Sequence, residues 1–535
     1  MVEENHPLGG SVPRVKTASV ALCVVALAGC ASPPPKAPTP PAEPKAAAPG
    51  ASVVDAPWRI RVSDAAGQEP PRPDSPAVLI RGARLLIGDG RVIERGHVLM
   101  KGGRIAAVGD GDGEAPPGAR VIDAAGKVVT PGLIDTHSHL GVYPLLEAQA
   151  HSDGNEMTNP VTAGVRTIDG IWPQDPGIER AVAGGVTTIQ VLPGSANLIG
   201  GRAVTLKLRR ATTSRAMHFE GAPDGLKMAC GENPKRVYGE QKRQPSTRMG
   251  NLAGQRAAFL SAKRLIEEWD QFKRGEEKRD DDRRKNERRT EEKRRVEERR
   301  AAACADGNQA ACAAKKDESP DSPSPAEPKL PPRRDLDAET LAGAIEGRIL
   351  VHVHCYRADD MASILALADE IGFSVRSFHH ALEAYKIRGD LAKRGVGVST
   401  WADWWGFKLE AYDGIPENMA LVEQSGGKPI IHSDSPEGIR RLNQETAKAM
   451  YSGRNAGIAI DDGQAARWMT LNPAWALGID QRVGSLEVGK DADVVLWSAS
   501  PFSVYARAEV VFLDGLVRWD AAAARGRESD FEVQP

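Results

Sequence analysis

The chain has 535 residues, of which 41% are hydrophobic and 27% charged, and its 70 basic and 72 acidic residues leave a formal net charge of −2. This length allows one large domain plus a smaller one, and the composition excludes a wholly disordered or fibrous chain. Because there is no overall basic excess to attract phosphates, we expect no nucleic-acid partner. The composition instead indicates a protein that acts on small molecules.

The N-terminal segment, residues 1–30, has the pattern of a signal peptide. Arg14 and Lys16 precede an apolar stretch at residues 18–28 that is too short to span a bilayer stably. The stretch ends at Cys30 in the sequence Leu-Ala-Gly-Cys, which resembles the bacterial lipobox. This resemblance implies that Cys30 is lipidated and attaches the mature protein to a membrane. An ordinary secretory signal or an anchor helix is the alternative.

Residues 31–76 are predicted to form a tether, because their first part is rich in proline and alanine. By the same resemblance, Ala31 in place of an aspartate favours the outer membrane over retention at the inner one. We therefore expect a lipid-anchored extracytoplasmic protein at the periplasmic face of the outer membrane.

The six cysteines do not suggest a disulfide framework. Two lie in the predicted signal peptide, and Cys230 and Cys355 lie in apolar, strand-like runs. Cys304 and Cys312 are close together in a polar stretch, and an oxidising compartment would allow this pair to bridge. Two unpaired thiols are an equal alternative for them.

Two blocks of short β-like runs lie at opposite ends of the chain. In residues 77–127, Gly-rich turns divide apolar runs at about ten-residue spacing, as in a small antiparallel sandwich. Residues 477–520 repeat this pattern and are followed by a tail at residues 521–535. The two blocks are predicted to complete one β-sandwich domain.

Between these blocks, apolar strand-like runs alternate with helical ones, which indicates parallel βαβ units. Strands are predicted at residues 128–136, 186–192, 203–208, 225–229, 349–354, 373–379, 395–400 and 428–433. Eight such strands predict an α/β fold, a (β/α)8 barrel over residues 128–476, with its chemistry at the C-terminal strand ends.

A charged insert, residues 263–334, interrupts the predicted barrel. Its first part, residues 263–300, mixes acidic and basic residues at i,i+4 spacing and has almost no apolar stripe, which predicts a solvated helix that protrudes. Residues 315–334 are rich in proline and charge and are predicted to be disordered. A solvated excursion is preferred to a nucleic-acid or partner-binding role.

His137 and His139 stand at alternate positions at the end of an apolar run. The two-residue period of a strand puts both imidazoles on one face, where both can reach one metal ion. An isolated His-x-His pair is weak evidence, but this one lies where a barrel strand would open into its active-site loop.

Three segments around this pair look like the amidohydrolase superfamily: residues 130–139, 185–188 and 484–493. The segment at residues 193–201 looks like the imidazolonepropionase-like branch of that superfamily. This branch and the prolidase-like members include extracytoplasmic proteins. The resemblance covers about residues 77–520, excepting the charged insert. It implies a (β/α)8 barrel with a β-sandwich from both chain ends, and hydrolysis of amide, other C–N or ester bonds with one or two divalent metal ions.

The resemblance also implies further metal ligands after strands five, six and eight. The family pattern H-x-x-R-A-D-D selects His354 and leaves His352 as a buried neighbour, and H-x-x-E selects His380 and leaves His379 as structural. Asp434 ends the last apolar run, where a carboxylate could bind metal and take a proton from water.

At the fourth strand, many relatives bridge two metal ions with a carboxylated lysine or a glutamate. Lys227 resembles that lysine, since a lysine in a low-dielectric site can be neutral and add carbon dioxide. Glu232 is the alternative, and a one-metal site is the third. The predicted metal ligands are therefore His137, His139, Lys227, His354, His380 and Asp434.

The implied function is metal-dependent hydrolysis of a C–N bond, with Asp434 as the catalytic base. Neutral imidazoles and carboxylates suit zinc, while manganese, iron and cobalt stay open. The expected substrate is a small molecule, by resemblance a dipeptide-like or cyclic amide, and a homo-oligomer is left open. A deaminase or lactonase on the same barrel and a non-catalytic ligand-binding lipoprotein are the alternatives. Candidate substrate contacts are His151, Asn155, Glu156, Arg166, Asp169, Trp401, Trp404, Trp405 and Tyr412.

Overall fold

The structure is a computed structural model that describes residues 55–59, 75–145, 149–313, 330–404 and 406–523. The predicted signal peptide with Cys30, nearly all of the predicted tether and Trp405 lie outside these residues. Most of the predicted proline-rich part of the insert and most of the C-terminal tail lie outside them as well.

The described residues form sixteen strands and twelve α-helices. The strands are β1 Val78–Leu86, β2 Val92–Lys101, β3 Arg104–Asp110, β4 Arg120–Asp123, β5 Val128–Pro131, β6 Leu133–Ser138, β7 Val186–Val191, β8 Ile199–Lys207, β9 Gly225–Ala229, β10 Leu350–Cys355, β11 Val375–His380, β12 Gly397–Thr400, β13 Lys428–Ile431, β14 Val494–Trp497, β15 Ala508–Leu513 and β16 Leu516–Asp520. The helices are α1 Pro176–Ala183, α2 Ser214–Met217, α3 Glu232–Glu240, α4 Arg248–Ala305, α5 Gln309–Ala313, α6 Leu336–Ile345, α7 Ala358–Ile371, α8 Arg388–Arg394, α9 Asn418–Gln424, α10 Leu442–Asn455, α11 Asp462–Trp468 and α12 Leu471–Ala476.

Strands β6 to β13 form one eight-stranded sheet in sequence order. Its two edges meet where the backbone N–H of Asp434 donates to the carbonyl of His137 (2.9 Å), so that the sheet is a nearly closed barrel. Apolar side chains face outward toward the helices: in β10, Val351 and Val353 belong to the core between the barrel and its helices. His352 alternates with them and is also fully buried, which places it on the inner face.

Strand β8 runs antiparallel to both of its neighbours, which differs from the predicted succession of parallel βα units. The connection from β7 to β8, residues 192–198, is too short for a crossover, which needs about a dozen residues or more. The chain therefore turns back as a hairpin. A mixed α/β fold with an eight-stranded barrel sheet is confirmed, while the strictly parallel (β/α)8 order is wrong at this strand.

A second eight-stranded sheet combines strands from both ends of the described chain, in the order β16-β15-β14-β5-β1-β2-β3 with β4 paired to β1. The single strand predicted at residues 128–136 is divided between the two sheets: β5 pairs with β14 here, and β6 enters the barrel. The break falls at Gly132, where an added Cβ would lie only 2.1 Å from Oγ1 of Thr187. The close approach of Thr187 therefore requires glycine at the crossing between the sheets.

Helix α4 has 58 residues and divides into a packed part and an exposed part. Its first third is anchored: Leu265 and Trp269 are buried with Trp58 and residues of α6 in one apolar cluster. From residue 271 to residue 313 no described side chain is buried. The predicted solvated helix is therefore present, but the structure differs at its start because Leu265 and Trp269 face the body. Among the described helices, none is both long and apolar enough to cross a membrane.

The cysteines differ from the sequence prediction at one pair. Cys230 and Cys355 form a disulfide that joins the ends of the neighbouring strands β9 and β10, although their separation is 125 residues. Cys304 and Cys312, for which a bridge and two unpaired thiols were equal alternatives, also form a disulfide. The apolar surroundings of Cys230 and Cys355 reflect their burial at a strand end and do not exclude a covalent bond.

Candidate metal centre

The barrel places all six predicted ligands on its inner side or at its C-terminal mouth. His137 lies in β6, and His139 follows its last residue. Lys227 lies in β9, His354 in β10 and His380 at the last position of β11. Asp434 follows β13 and closes the circle against β6.

Asp434 is the point on which three imidazoles converge. Its Oδ1 lies 3.1 Å from Nε2 of His139 and 3.4 Å from Nε2 of His137. Its Oδ2 lies 3.9 Å from Nδ1 of His380. One ligand atom each from His137, His139 and Asp434 lie within 4.8 Å of one another, as a shared metal ion requires.

His354 lies beside this group and belongs to neither three-residue cluster of possible ligands found among the described residues. Its ring centroid is 4.4 Å from that of His380. Its Nδ1 bonds to Oγ of Ser195 (2.8 Å), and its Nε2 lies 3.5 Å from Nδ2 of Asn233. The structure therefore brings His354 to the mouth next to His380.

Lys227 is fully buried, and its Nζ donates to the carbonyl of Pro193 (2.8 Å). Burial lowers the pKa of Lys227 to about 8, and the nearby charge of Asp434 offsets only part of this shift. Because the neutral amine is accessible near that pH, Lys227 has the property that carbamate formation requires.

Hydrogen bonds to the far ring nitrogens aim the first two histidines. Nδ1 of His139 lies 2.8 Å from the carbonyl of Leu192, and since a carbonyl only accepts, Nδ1 carries the proton. This leaves the lone pair of His139 on Nε2, the atom that faces Asp434. Nδ1 of His137 is likewise occupied, by Nδ1 of His379 at 2.9 Å.

Burial sets the charge state of the imidazoles. It lowers the pKa of His137, His354 and His380 well below the usual value, and the positive charge of neighbouring groups, including Lys227, adds to the effect. For Asp434, burial raises the pKa, but its close contact with His139 and the positive charge of Lys227 outweigh burial and lower the pKa overall. Neutral imidazoles beside an ionised carboxylate are the protonation states that bind a divalent cation.

The backbone is strained where two of these side chains emerge. His380 has a φ of 68° and Asp434 a φ of 50°, and the residue after His380, Ala381, has a φ of 42°. Residues with a Cβ rarely adopt positive φ, at a cost of about 1–3 kcal/mol each. At His380 this turn breaks the alternation of β11, so that His379 and His380 both lie on the inner side.

Two contributors escaped the sequence analysis. His432 forms a second possible ligand cluster with His137 and His380. However, its Nε2 accepts the backbone N–H of His380 (3.2 Å), so its proton lies on Nδ1, and we interpret His432 as a support for the end of β11. The signal was its position two residues before Asp434, just after the last apolar run.

Asp135 is the second missed contributor, and it joins the two edges of the barrel. Its carboxylate accepts from the backbone N–H of His137 (3.0 Å) and from both the N–H and the hydroxyl of Ser433 (3.2 and 2.5 Å). Burial nevertheless raises the pKa of Asp135 to about 7. Its place two residues before His137 was the available signal.

Aromatic side chains form a wall beside the histidines. The ring of Trp401 stacks on that of His380 with centroids 4.5 Å apart, and Trp404 stacks on Trp401 at 5.3 Å. Tyr356 also stacks on His380, with centroids 4.9 Å apart, and its ring centroid lies 6.2 Å from that of Trp401. Trp401 and Trp404 thus lie where a substrate could contact them, whereas Tyr412 is 74% exposed and stands outside the wall.

The other candidate substrate contacts are mixed. Asn155 donates to the hydroxyl of Tyr143 (2.5 Å), whose ring lies 5.6 Å from that of His139. Asn155 therefore borders the centre through Tyr143. Asp169 pairs with Arg215 at the surface instead (3.0 Å).

The side chains present fit a divalent metal ion. Both ring nitrogens of His380 and Nε2 of His137 are buried without a hydrogen-bond partner, a costly state for polar atoms that a metal ion would relieve. Nitrogen donors with one carboxylate match the preference of zinc-like ions. Which of the six predicted residues bind metal stays a prediction.

Comparisons with known proteins agree with this geometry. Residues 414–531 match the amidohydrolase family. The solved structure of an amidohydrolase from Thermotoga maritima MSB8 is 32% identical in sequence, has a TM-score of 0.66, and matches 83% of this chain and 100% of that chain. The chain belongs to the amidohydrolase family.

Two characterised relatives show the breadth of this family. The amidohydrolase tasK of Hapsidospora irregularis is 32% identical over 443 residues, which are 80% of this chain, and the chain spans 40% of the length of that relative. A 5-methylthioadenosine/S-adenosylhomocysteine deaminase of Symbiobacterium thermophilum is 26% identical over 442 residues, 79% of this chain and 85% of that protein. The relatives of this chain therefore include proteins named for different activities.

Proposed function

We propose that this amidohydrolase hydrolyses a C–N bond of a small amide with the help of one or two divalent metal ions, zinc being the best match. The observation that carries the proposal is the convergence of His137, His139 and Asp434 within ligand distance of one another, with Lys227 buried in the same barrel. The unpaired nitrogens of His380 give further support.

The chemistry that a divalent ion supplies when bound is Lewis acidity, which acidifies water and polarises a carbonyl. His137 and His139 would hold the ion through Nε2, with His354, His380 and Lys227 as the remaining predicted ligands. Asp434 accepts the proton of the attacking water on a carboxylate oxygen and delivers it to the leaving nitrogen. Trp401 and Tyr356 cover one side of the histidines and exclude bulk water there.

The proposed substrate is a dipeptide-like or cyclic amide. The wall of Tyr356, Trp401 and Trp404 supports an apolar or aromatic group next to the scissile bond. The ammonium of Lys408 lies 4.0 Å from the centre of the Tyr356 ring and 3.3 Å from Oδ1 of Asn233, at the same mouth. Glu232 and Glu410 already pair with this ammonium at 3.4 and 3.7 Å, so the proposed substrate rests on the aromatic wall and not on Lys408.

The decisive experiment is metal analysis of the purified protein, followed by a hydrolysis panel in the recovered metal. Dipeptides, lactams and lactones form the panel, and carboxylate formation and ammonia release are measured in parallel. Amide cleavage with metal dependence supports the proposal. Ammonia release without amide cleavage would indicate a deaminase instead, and a protein without metal or turnover would indicate a ligand-binding role.

We also propose that the protein is extracytoplasmic and lipid-anchored through Cys30. The lipobox-like sequence carries this proposal, and the two disulfides give support, because disulfides persist in oxidising compartments. Metabolic labelling with a fatty acid should mark the wild type and leave Cys30→Ala unlabelled. Equal labelling of both proteins would contradict it.

A further inference from the structure

Three imidazoles stand in hydrogen-bonded series inside the barrel, below the candidate metal centre. Nδ1 of His137 lies 2.9 Å from Nδ1 of His379, and Nε2 of His379 lies 2.9 Å from Nδ1 of His352. All three side chains are fully buried. They come from β6, β11 and β10, so the series crosses the barrel interior.

The protons in this series have one arrangement that is compatible with metal binding. Each contact between two ring nitrogens needs one donor and one acceptor. If His137 keeps its lone pair on Nε2, its Nδ1 must donate to Nδ1 of His379. His379 then carries its own proton on Nε2 and donates to Nδ1 of His352.

The three rings are electrically neutral, which this arrangement requires. All three side chains lie in the fully buried barrel interior, where burial disfavours a charged imidazole. Each ring therefore has a single proton to place. The two contacts between rings couple the three tautomers, so that the position of one proton sets the positions of the other two.

We propose that His379 is a positioning residue that fixes the tautomer and ring orientation of His137 for metal binding, and that His352 fixes the tautomer of His379 in turn. The inference rests on the proposed metal-dependent function. A carbonyl does the same for His139, where Leu192 occupies Nδ1. In metal sites such outer partners are usually carboxylates, carbonyls or water, and their loss weakens metal binding.

The local backbone supports a dedicated role for His379. In a regular strand, His379 and His380 would point to opposite faces. The positive φ of His380 ends that alternation and lets one residue face Asp434 while its neighbour reaches His137. The strained backbone at His380 therefore lets two consecutive residues serve the same centre. His380 is a predicted metal ligand, and His379 supports the ring of His137.

The test measures metal affinity rather than turnover. Zinc affinity is obtained by competition with a chromogenic chelator, and the visible spectrum of the cobalt-loaded protein reports ligand geometry. His379→Phe keeps a planar aromatic ring and removes both contacts, so the Kd should rise about 10- to 100-fold with an altered cobalt spectrum. His379→Asn keeps an acceptor near the position of Nδ1 and should stay within about threefold of wild type.

Ser377→Ala is the matched control. Ser377 lies on the same strand and the same inner face, is fully buried and bonds to Oγ of Ser399 (2.9 Å) instead of a histidine. Its loss should leave the Kd and the cobalt spectrum unchanged. The thermal midpoint of each metal-free variant shows whether the fold is intact.

A zinc Kd of His379→Phe equal to that of wild type would overturn the inference. A Kd of His379→Asn raised as much as that of His379→Phe would also overturn it. If His379→Phe does not fold, His352→Leu decides, because it breaks only the outer contact. A Kd raised by about threefold then supports the inference, and an unchanged Kd overturns it. A wild type that binds neither ion would overturn the proposed function itself, and this inference with it.

Discussion

Individual residues of the candidate centre depend on backbone and hydrogen-bond features that their types alone do not reveal. His380 and Asp434 sit in left-handed backbone, and His139 is aimed by the carbonyl of Leu192. The residue types and their order were predictable, because imidazoles and carboxylates at the ends of apolar runs are visible in the sequence. The supporting roles of His432 and Asp135 were not, since each acts through a partner on another strand.

Lys227 decides between a one-metal and a two-metal centre. If its carbamate bridges two ions, Lys227→Ala should lower the metal content from about two ions per chain toward one and suppress turnover, because a bridging anion offsets the repulsion between dications. Metal analysis and kcat are the measurements. Lys448→Ala, which removes a partly exposed lysine of α10, is the control and should change neither. Unchanged metal content and kcat in Lys227→Ala would move attention to Glu232 or to a mononuclear site.

Asp434 is predicted to be the catalytic base. Asp434→Asn keeps the shape of the side chain but removes its charge and its capacity to accept a proton, so kcat should fall about 10²- to 10⁴-fold. The control is Asp403→Asn, since Asp403 is a surface partner of Lys448 and should not affect turnover. An Asp434→Asn protein with wild-type kcat on a panel substrate would remove Asp434 from the mechanism.

At the scale of elements, patterns within one strand or helix were predictable and pairings between distant elements were not. The bounds of β9 match the predicted strand because Gly225 and the buried run after it are local features. The antiparallel direction of β8 follows from the short connection before it. The alternation of strand-like and helical runs in the sequence had indicated a parallel strand there. The Cys230–Cys355 disulfide needed the knowledge that β9 and β10 are neighbours across the long charged insert.

Helix α4 is predicted to be dispensable in its outer part and essential at its base. Removing residues 277–330 with a short Gly-Ser linker should leave thermal stability and metal binding close to wild type, because no described side chain beyond residue 271 is buried before the gap. Trp269→Ala should instead cost about 3–5 kcal/mol of unfolding free energy, since Trp269 is 3% exposed and packs edge-on against Trp58. Chemical denaturation measures both. An insoluble deletion variant would contradict this division of helix α4 into a packed and an exposed part. A Trp269→Ala protein with the unfolding free energy of wild type would contradict it as well.

At the scale of the whole molecule, a buried lysine joins the barrel to the second sheet. Lys207, the last residue of β8, bonds to Asp514, Asp491 and Asp493 at 2.5, 2.9 and 3.2 Å. All three carboxylates come from the C-terminal part of the chain, more than 280 residues later. The barrel and the sheet from both chain ends are therefore held together by charge as well as by apolar packing.

Lys207→Met should destabilise the protein by about 3–5 kcal/mol at neutral pH, because it leaves the buried Asp493 without its cation, while Asp491 and Asp514 keep Arg482 and Arg209 as partners. The loss should shrink as the pH falls. Lys207 lowers the pKa of all three carboxylates, and even with Lys207 in place burial raises the pKa of Asp493 to about 6. Without Lys207 the pKa values of these carboxylates rise, so the folded variant binds more protons than the unfolded chain. The variant therefore gains stability relative to wild type when the pH falls from about 8 to about 5.

Urea denaturation at both pH values measures this difference, and Lys127→Met is the matched control. Lys127 pairs with Glu509 at 2.6 Å, but both side chains are partly exposed, 34% and 25%. Such a pair contributes about 0–1 kcal/mol, so its loss should be small and nearly independent of pH over this range. Two results would show that the buried charges do not hold the barrel and the second sheet together. One is a loss of unfolding free energy in Lys207→Met as small as that in Lys127→Met. The other is a loss in Lys207→Met that grows toward pH 5.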